Sequence, residues 1–150
     1  MPTVSQEVLR EAGRVMLGYA ASFFFAIVMQ LSAKIRAVQK FKKDKAAGTT
    51  KEKFNRYTSD TMLAGDRSVG NFIEWQGLFL VLFWTNVLVA GAQDVWLGWV
   101  YVGSRFLYPI LAQLGGIKQG GPMPLIFLAT VPGYYVLFHY TYLIYRTVFN

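Results

Sequence analysis

Residues 67–93 read RSVGNFIEWQGLFLVLFWTNVLVAGAQ. The stretch divides at Trp75. From Trp75 to Gln93, 19 residues carry no charge. Before it, Arg67, Asn71 and Glu74 follow one another at spacings of four and three, so on a helix they share one face. A helix that takes a cation, an amide and a carboxylate to the edge of an apolar run holds them for each other or for a ligand.

The same kind of run recurs along the chain. Val15–Ala33 is uncharged over 19 residues, Gln119–Tyr145 is uncharged over 27, and Val95–Ile117 contains Arg105 as its one charge. A helix needs about 20 apolar residues to cross a bilayer. Four such segments in 150 residues leave little chain for a separate domain. The composition agrees: 54% hydrophobic, 17% aromatic and 15% charged, where soluble domains average about 25% charged. Mean hydropathy is +0.33. A soluble bundle would show polar helix faces, which these runs lack. The expected fold class is all-α: one integral membrane four-helix bundle over residues 1–150, with helices near 11–36, 66–91, 96–115 and 124–146.

The first connection carries the charge. From Lys34 to Arg67 there are ten Lys/Arg and four Asp/Glu, which accounts for most of the net charge of +7. The positive-inside rule places this loop on the cytosolic-equivalent face of a membrane. That gives a multi-pass protein of the endoplasmic reticulum or another organelle membrane if the source is eukaryotic. Topology and anionic headgroups explain such charge, so membrane lipids are the expected partners and nucleic acid is not. The N-terminus, MPTVSQEVLREAGR, does not read as a cleaved signal peptide, since acidic residues precede a run long enough to span. There are no cysteines and a single histidine, His139, so no disulfide and no cysteine or histidine metal cluster is expected. Trp75, Trp96, Trp99 and Tyr145 fall near helix ends, where interfacial aromatic belts form.

Ionisable residues inside a membrane are costly and are paired or functional. Glu74 and Arg105 are the two candidates. The turn near GAQD makes helices 2 and 3 antiparallel neighbours. Arg105 lies about 15 Å beyond that turn and Glu74 about 25 Å before it, at 1.5 Å per residue. A Glu74–Arg105 pair is therefore expected if Arg105 extends towards the cytosolic side. Bare physics leaves two readings open. Arg67, Asn71, Glu74 and Arg105 either satisfy one another as helix glue, or line a pocket for a polar anionic ligand.

The spacing Arg67-x-x-x-Asn71-x-x-Glu74 at the opening of helix 2, with Arg105-x-x-Tyr108 in helix 3 and a basic first loop, resembles the MAPEG superfamily (membrane-associated proteins in eicosanoid and glutathione metabolism). It is most similar to the microsomal glutathione transferases. The resemblance implies a left-handed four-helix bundle, a homotrimer, and glutathione bound between subunits near the cytosolic face. It implies that Arg67, Asn71, Glu74 and Arg105 orient glutathione, and that Tyr108 sits at the pocket. A basic residue at the end of helix 1 takes part in the family, here Lys34 or Arg36, and Arg36 is the expected site residue. Active members also carry an aromatic four residues after the Tyr108 position, where this chain has Ala112. They often carry an arginine near helix 4, where QGGPMP offers only the neighbouring Lys118. A thiolate needs a nearby cation or donors, so Tyr108 and Lys118 are the expected catalytic pair. The implied activity is conjugation of glutathione to a lipophilic electrophile or reduction of a lipid hydroperoxide. The alternative is a non-catalytic structural or lipid-binding subunit of a larger membrane complex.

Overall fold

The computed structural model describes residues 4–50, 53–115 and 124–149. Among them are four α-helices and no strand: α1 Gln6–Ala46, α2 Asp60–Leu88, α3 Leu97–Gly115 and α4 Pro124–Phe149. A 3-10 turn, Arg56–Thr58, precedes α2.

Local chemistry sets the helix ends. Ser5 and Ser59 cap α1 and α2, their side chains accepting from the Val8 and Met62 amides. The Ser59 cap starts α2 six residues ahead of the expected Asp66. α1 continues ten residues past the expected Arg36, through the basic segment. Lys, Gln and Ala there are good helix formers, and nothing interrupts the helix until Gly48, whose φ is +71°. At 41 residues, α1 is about 60 Å long, twice the hydrocarbon thickness of a bilayer.

α1 packs on α2 and α3, and α4 packs on α3 and α2, while among the described residues α1 and α4 do not meet. The seam on α1 is built from small residues. Ala12, Tyr19, Ala26 and Ala33 are buried at intervals of seven, with Val15 and Ser22 three residues after the first two. A seven-residue repeat is the seam of left-handed packing. Glycines bring the backbones closer still. A Cβ placed on Gly65 would lie 2.9 Å from Ala33 Cβ, and one on Gly98 would lie 2.6 Å from Val15 Cγ1. Aromatic rings fill the centre, with Phe79 and Tyr101 stacked at 3.9 Å and 5°.

Large apolar side chains point the other way. Leu17, Phe24 and Leu31 on α1, and Phe127, Leu128 and Phe138 on α4, are exposed. Among the described residues, α1 is the one helix long and apolar enough to cross a membrane, its most apolar stretch reaching a mean hydropathy of 1.7. Asn86 in α2, Arg105 in α3 and the tyrosines of α4 lower the other helices on the same measure.

Residues 89–96 join α2 to α3 with three left-handed residues, Gly91, Ala92 and Asp94. Two of these are not glycine, a conformation costing roughly 1–2 kcal/mol each. Side chains hold it in place. The buried Asn86 donates to the Gln93 carbonyl at 2.7 Å and accepts the Ala92 amide on its own carbonyl at 2.9 Å. From α4, Arg146 donates to the Gln93 side chain, His139 meets Asp94 at 2.9 Å, and Tyr140 donates to the Asp94 carbonyl at 3.3 Å.

Candidate functional site

α2 carries Asp60, Ala64, Arg67, Asn71 and Glu74 down one side, at helical spacings of four and three. α3 runs beside it with Arg105, Tyr108 and Ala112 on a matching face. The packing of α2 against α3 and α4 therefore brings the two sequence motifs together.

Arg105 is the centre of this arrangement. It is 2% exposed. Its Nη1 donates to Asn71 Oδ1 at 2.8 Å and its Nε to Ser104 Oγ at 3.2 Å. Its guanidinium carbon stands 4.8 Å from the centroid of the Tyr101 ring, a cation–π contact. The remaining terminal nitrogen, Nη2, is buried without a partner. The hydroxyls of Tyr19 and Tyr101 are in the same condition.

The expected Glu74–Arg105 ion pair is not formed: among the described residues no carboxylate lies within 4.0 Å of Arg105. The reason is angular. Glu74 is three residues past Asn71, which turns it about 60° around a helix of 100° per residue. Asn71 therefore faces α3, while Glu74 is turned to the surface and exposed. Arg105 does reach along α2, and the group it meets there is the amide.

Arg67 is also exposed. Neither Arg67 nor Glu74 makes a hydrogen bond or ion pair among the described residues. Tyr108 is 5% exposed and packs with Ala64, Ala112 and Ala129. Ala112, at the place of the family's second aromatic, is thus a buried packing residue against Tyr108. Lys118 lies outside the described residues.

The two helix 1 cations part company. Lys34 Nζ is 3.3 Å from Asp66 Oδ1, and Arg56 Nη2 is 3.1 Å from Asp66 Oδ2. Gln30 adds a donor to the same carboxylate at 2.9 Å. Asp66 precedes the uncharged run and stands outside its apolar length. Partial burial pushes its carboxyl up, but the hydrogen bonds from Arg56, Lys34 and Gln30 outweigh this and hold it below the usual carboxylate range. Arg36 instead donates to Gln113 Oε1, and Gln113 in turn donates to the Met29 carbonyl at 3.0 Å. Arg36 lines a cleft of about 530 Å³ between α1, α2 and α3. Ala64 belongs both to this cleft and to the packing around Tyr108.

The seat of Arg105 includes residues the motifs do not contain. A Cβ on Gly133 of α4 would lie 2.6 Å from Arg105 Nη2 and 2.9 Å from Ser104 Oγ. Gly133 follows Pro132 inside α4, and that Pro-Gly pair inside an apolar run is the sequence signal for a close approach. Gly133→Ala is expected to push the guanidinium off Asn71. Because the obstructing atom ends a flexible side chain, the cost in stability should stay below about 1.5 kcal/mol. Thermal melting checks this. The expected result is a small shift in Tm, and a large fall would mean that the seat cannot give way.

A helical chain that turns its large apolar side chains outward and buries an arginine against an amide has the build of a membrane-associated helix bundle. The MAPEG family model matches residues 16–144, and the chain belongs to the MAPEG family. No curated protein and no solved structure matches it.

Proposed function

We propose that this protein is an integral membrane enzyme of glutathione transferase or peroxidase type, multi-pass and homotrimeric, with its basic first connection on the cytosolic side. The observation that carries the reading is the unsatisfied polar stripe. Arg67 and Glu74 flank the Asn71–Arg105 bond, are exposed, and have no hydrogen-bond or ion-pair partner among the described residues. Free charges of both signs at the edge of an apolar run fit a ligand that carries carboxylates and an ammonium. Arg105 Nη2, buried beside Gly133, is one more donor without a partner among the described residues. The outward apolar faces of α1 and α4 support the bilayer as the surrounding medium.

Glutathione would supply the thiol, which adds to an electrophilic carbon or reduces a hydroperoxide. Arg67 and Arg105 would hold its carboxylates, and Glu74 with Asn71 its ammonium and amides. Tyr108 is placed beside them with a hydroxyl that makes no hydrogen bond within the described chain, available to donate to sulfur. Lys118 is the proposed cation for the thiolate. A lipophilic substrate would approach along the apolar surface of α4.

Arg67→Ala is expected to weaken glutathione binding by about tenfold or more, since a hydrogen bond to a charged group contributes about 1.5–3 kcal/mol. Titration in nanodiscs, with a conjugation assay against a generic electrophile, measures it. If the native protein takes up no glutathione at millimolar concentration, the enzyme reading fails. A second reading is supported by Ala112, which packs where active relatives carry an aromatic: a non-catalytic structural or lipid-binding subunit on the same scaffold. Binding of glutathione without turnover in either protein would favour it.

A further inference from the structure

We propose that the cleft between α1, α2 and α3 is a binding site for a phospholipid whose headgroup carries a phosphate and a primary ammonium. Its lining changes character along its length. Met29, Ile110 and Leu114 form an apolar end, and Arg36, Lys40 and Asp60 a charged end. On α1, Met29, Arg36 and Lys40 fall at spacings of seven and four, one face of the helix. Met29 and Arg36 are separated by about 10 Å of helix axis. The uncharged run ends at Ala33, between them. The cleft therefore crosses the boundary between apolar and charged surface, and its occupant must do the same.

The charged end specifies the head. Lys40 and Asp60 make no hydrogen bond or ion pair among the described residues, so two opposite charges face one cavity without neutralising each other. Arg36 is tied to the neutral Gln113 and keeps its charge uncompensated. Two cations and one carboxylate, held apart, fit a phosphate with an ammonium a few bonds away. Arg36 and Lys40 take the phosphate through charge-assisted hydrogen bonds, and Asp60 takes the ammonium. A primary ammonium can donate to Asp60, whereas a quaternary one cannot. A water-soluble anion would leave Met29, Ile110 and Leu114 uncovered. The volume of about 530 Å³ takes a headgroup with the first segment of its chains.

The full-length protein is incorporated into nanodiscs containing equal phosphatidylethanolamine, phosphatidylcholine and phosphatidic acid, then released in mild detergent, and the retained lipid is quantified by native mass spectrometry. The expected result is enrichment of phosphatidylethanolamine. Retention should fall about tenfold or more in the double variant Arg36→Gln/Lys40→Gln, which loses two charged donors. Asp60→Asn should abolish the preference over phosphatidic acid while leaving lipid bound. Leu114→Trp, which fills the apolar end and leaves the charges alone, should lower retention of all three lipids, so the proposal does not depend on the charge variants folding well.

Equal retention by the native protein and the double variant overturns the site, as does a preference for phosphatidic acid. Displacement of the lipid by inorganic phosphate or by glutathione overturns the amphiphile. Glutathione titration of the single variant Lys40→Gln keeps the two sites apart, since Arg36, Arg67 and Glu74 are unchanged in it.

Discussion

Gly98→Val is expected to unfold or badly loosen the bundle, while Gly103→Ala, five residues further along the same helix, stabilises it. At Gly98 a Cβ would lie 2.6 Å from Val15 Cγ1 and 2.9 Å from Phe83 Cε2. Both neighbours are fully buried. Val15 is β-branched, with little rotamer freedom in a helix, and the ring of Phe83 is packed near Phe79, Trp84 and Tyr140. Neither can withdraw, so the backbones must. Overpacking of this kind costs about 1–3 kcal/mol at a site that can partly relax, and valine adds two methyl groups beyond that Cβ. At Gly103 nothing lies within 4 Å of a Cβ, and the gain in helix propensity is up to about 1 kcal/mol. Thermal melts of the two variants in detergent should move in opposite directions. Equal shifts would mean that Gly98 is not a contact between α1, α2 and α3.

Arg105→Met should leave the protein as stable as the native chain, or more so, and at the same time remove the glutathione binding proposed for it. Breaking a buried ion pair normally leaves a stranded charge and costs several kcal/mol, but replacing a buried ionic group by an apolar one of similar volume is often neutral or stabilising. Arg105 falls in the second case, because no carboxylate lies within 4.0 Å among the described residues. Its guanidinium is buried with one nitrogen unsatisfied. Methionine keeps much of the length and flexibility needed to fill the space. What is lost is the donor that fixes Asn71 and the one proposed to reach the ligand, worth about tenfold or more in affinity at 1.5–3 kcal/mol. Differential scanning and titration on one preparation test both halves. A large fall in Tm would assign Arg105 to holding the helices together, and an unchanged glutathione affinity would remove it from the site.

These substitutions share a theme: close approach of the helices stabilises the centre of this bundle. Small residues line α1 where it meets its neighbours, glycines mark the tightest crossings, and the polar cluster around Arg105 is left incomplete. An arginine satisfied within its own chain would have little left to offer a ligand.

The sequence by itself determined the helical class, the number of long helices and the stretch that carries the motif, because apolar runs of about 20 residues and charges spaced by three and four are properties of the linear chain. Helix ends were less legible. The Lys-rich segment reads as a loop by charge, yet Lys and Ala are also strong helix formers, and α1 continues through it. Ser59, seven residues before the expected start of α2, could have been recognised as a cap. The family motif was legible because Arg67, Asn71 and Glu74 lie on one helix.

Only the tertiary structure decided the partners. Whether Arg105 meets Glu74 or Asn71 depends on the rotation of α2 against α3, an angle no spacing within one helix contains. Lys34 and Arg36 are two residues apart in sequence, so they point about 200° apart on a helix. One reaches Asp66 and the other Gln113 and the cleft. The seat that Gly133 leaves for Arg105, and Lys40 and Asp60 facing one cavity without a partner among the described residues, arise where three helices meet. They follow from packing between elements far apart in the chain, where hydrophobic periodicity says which face turns inward but not what it touches.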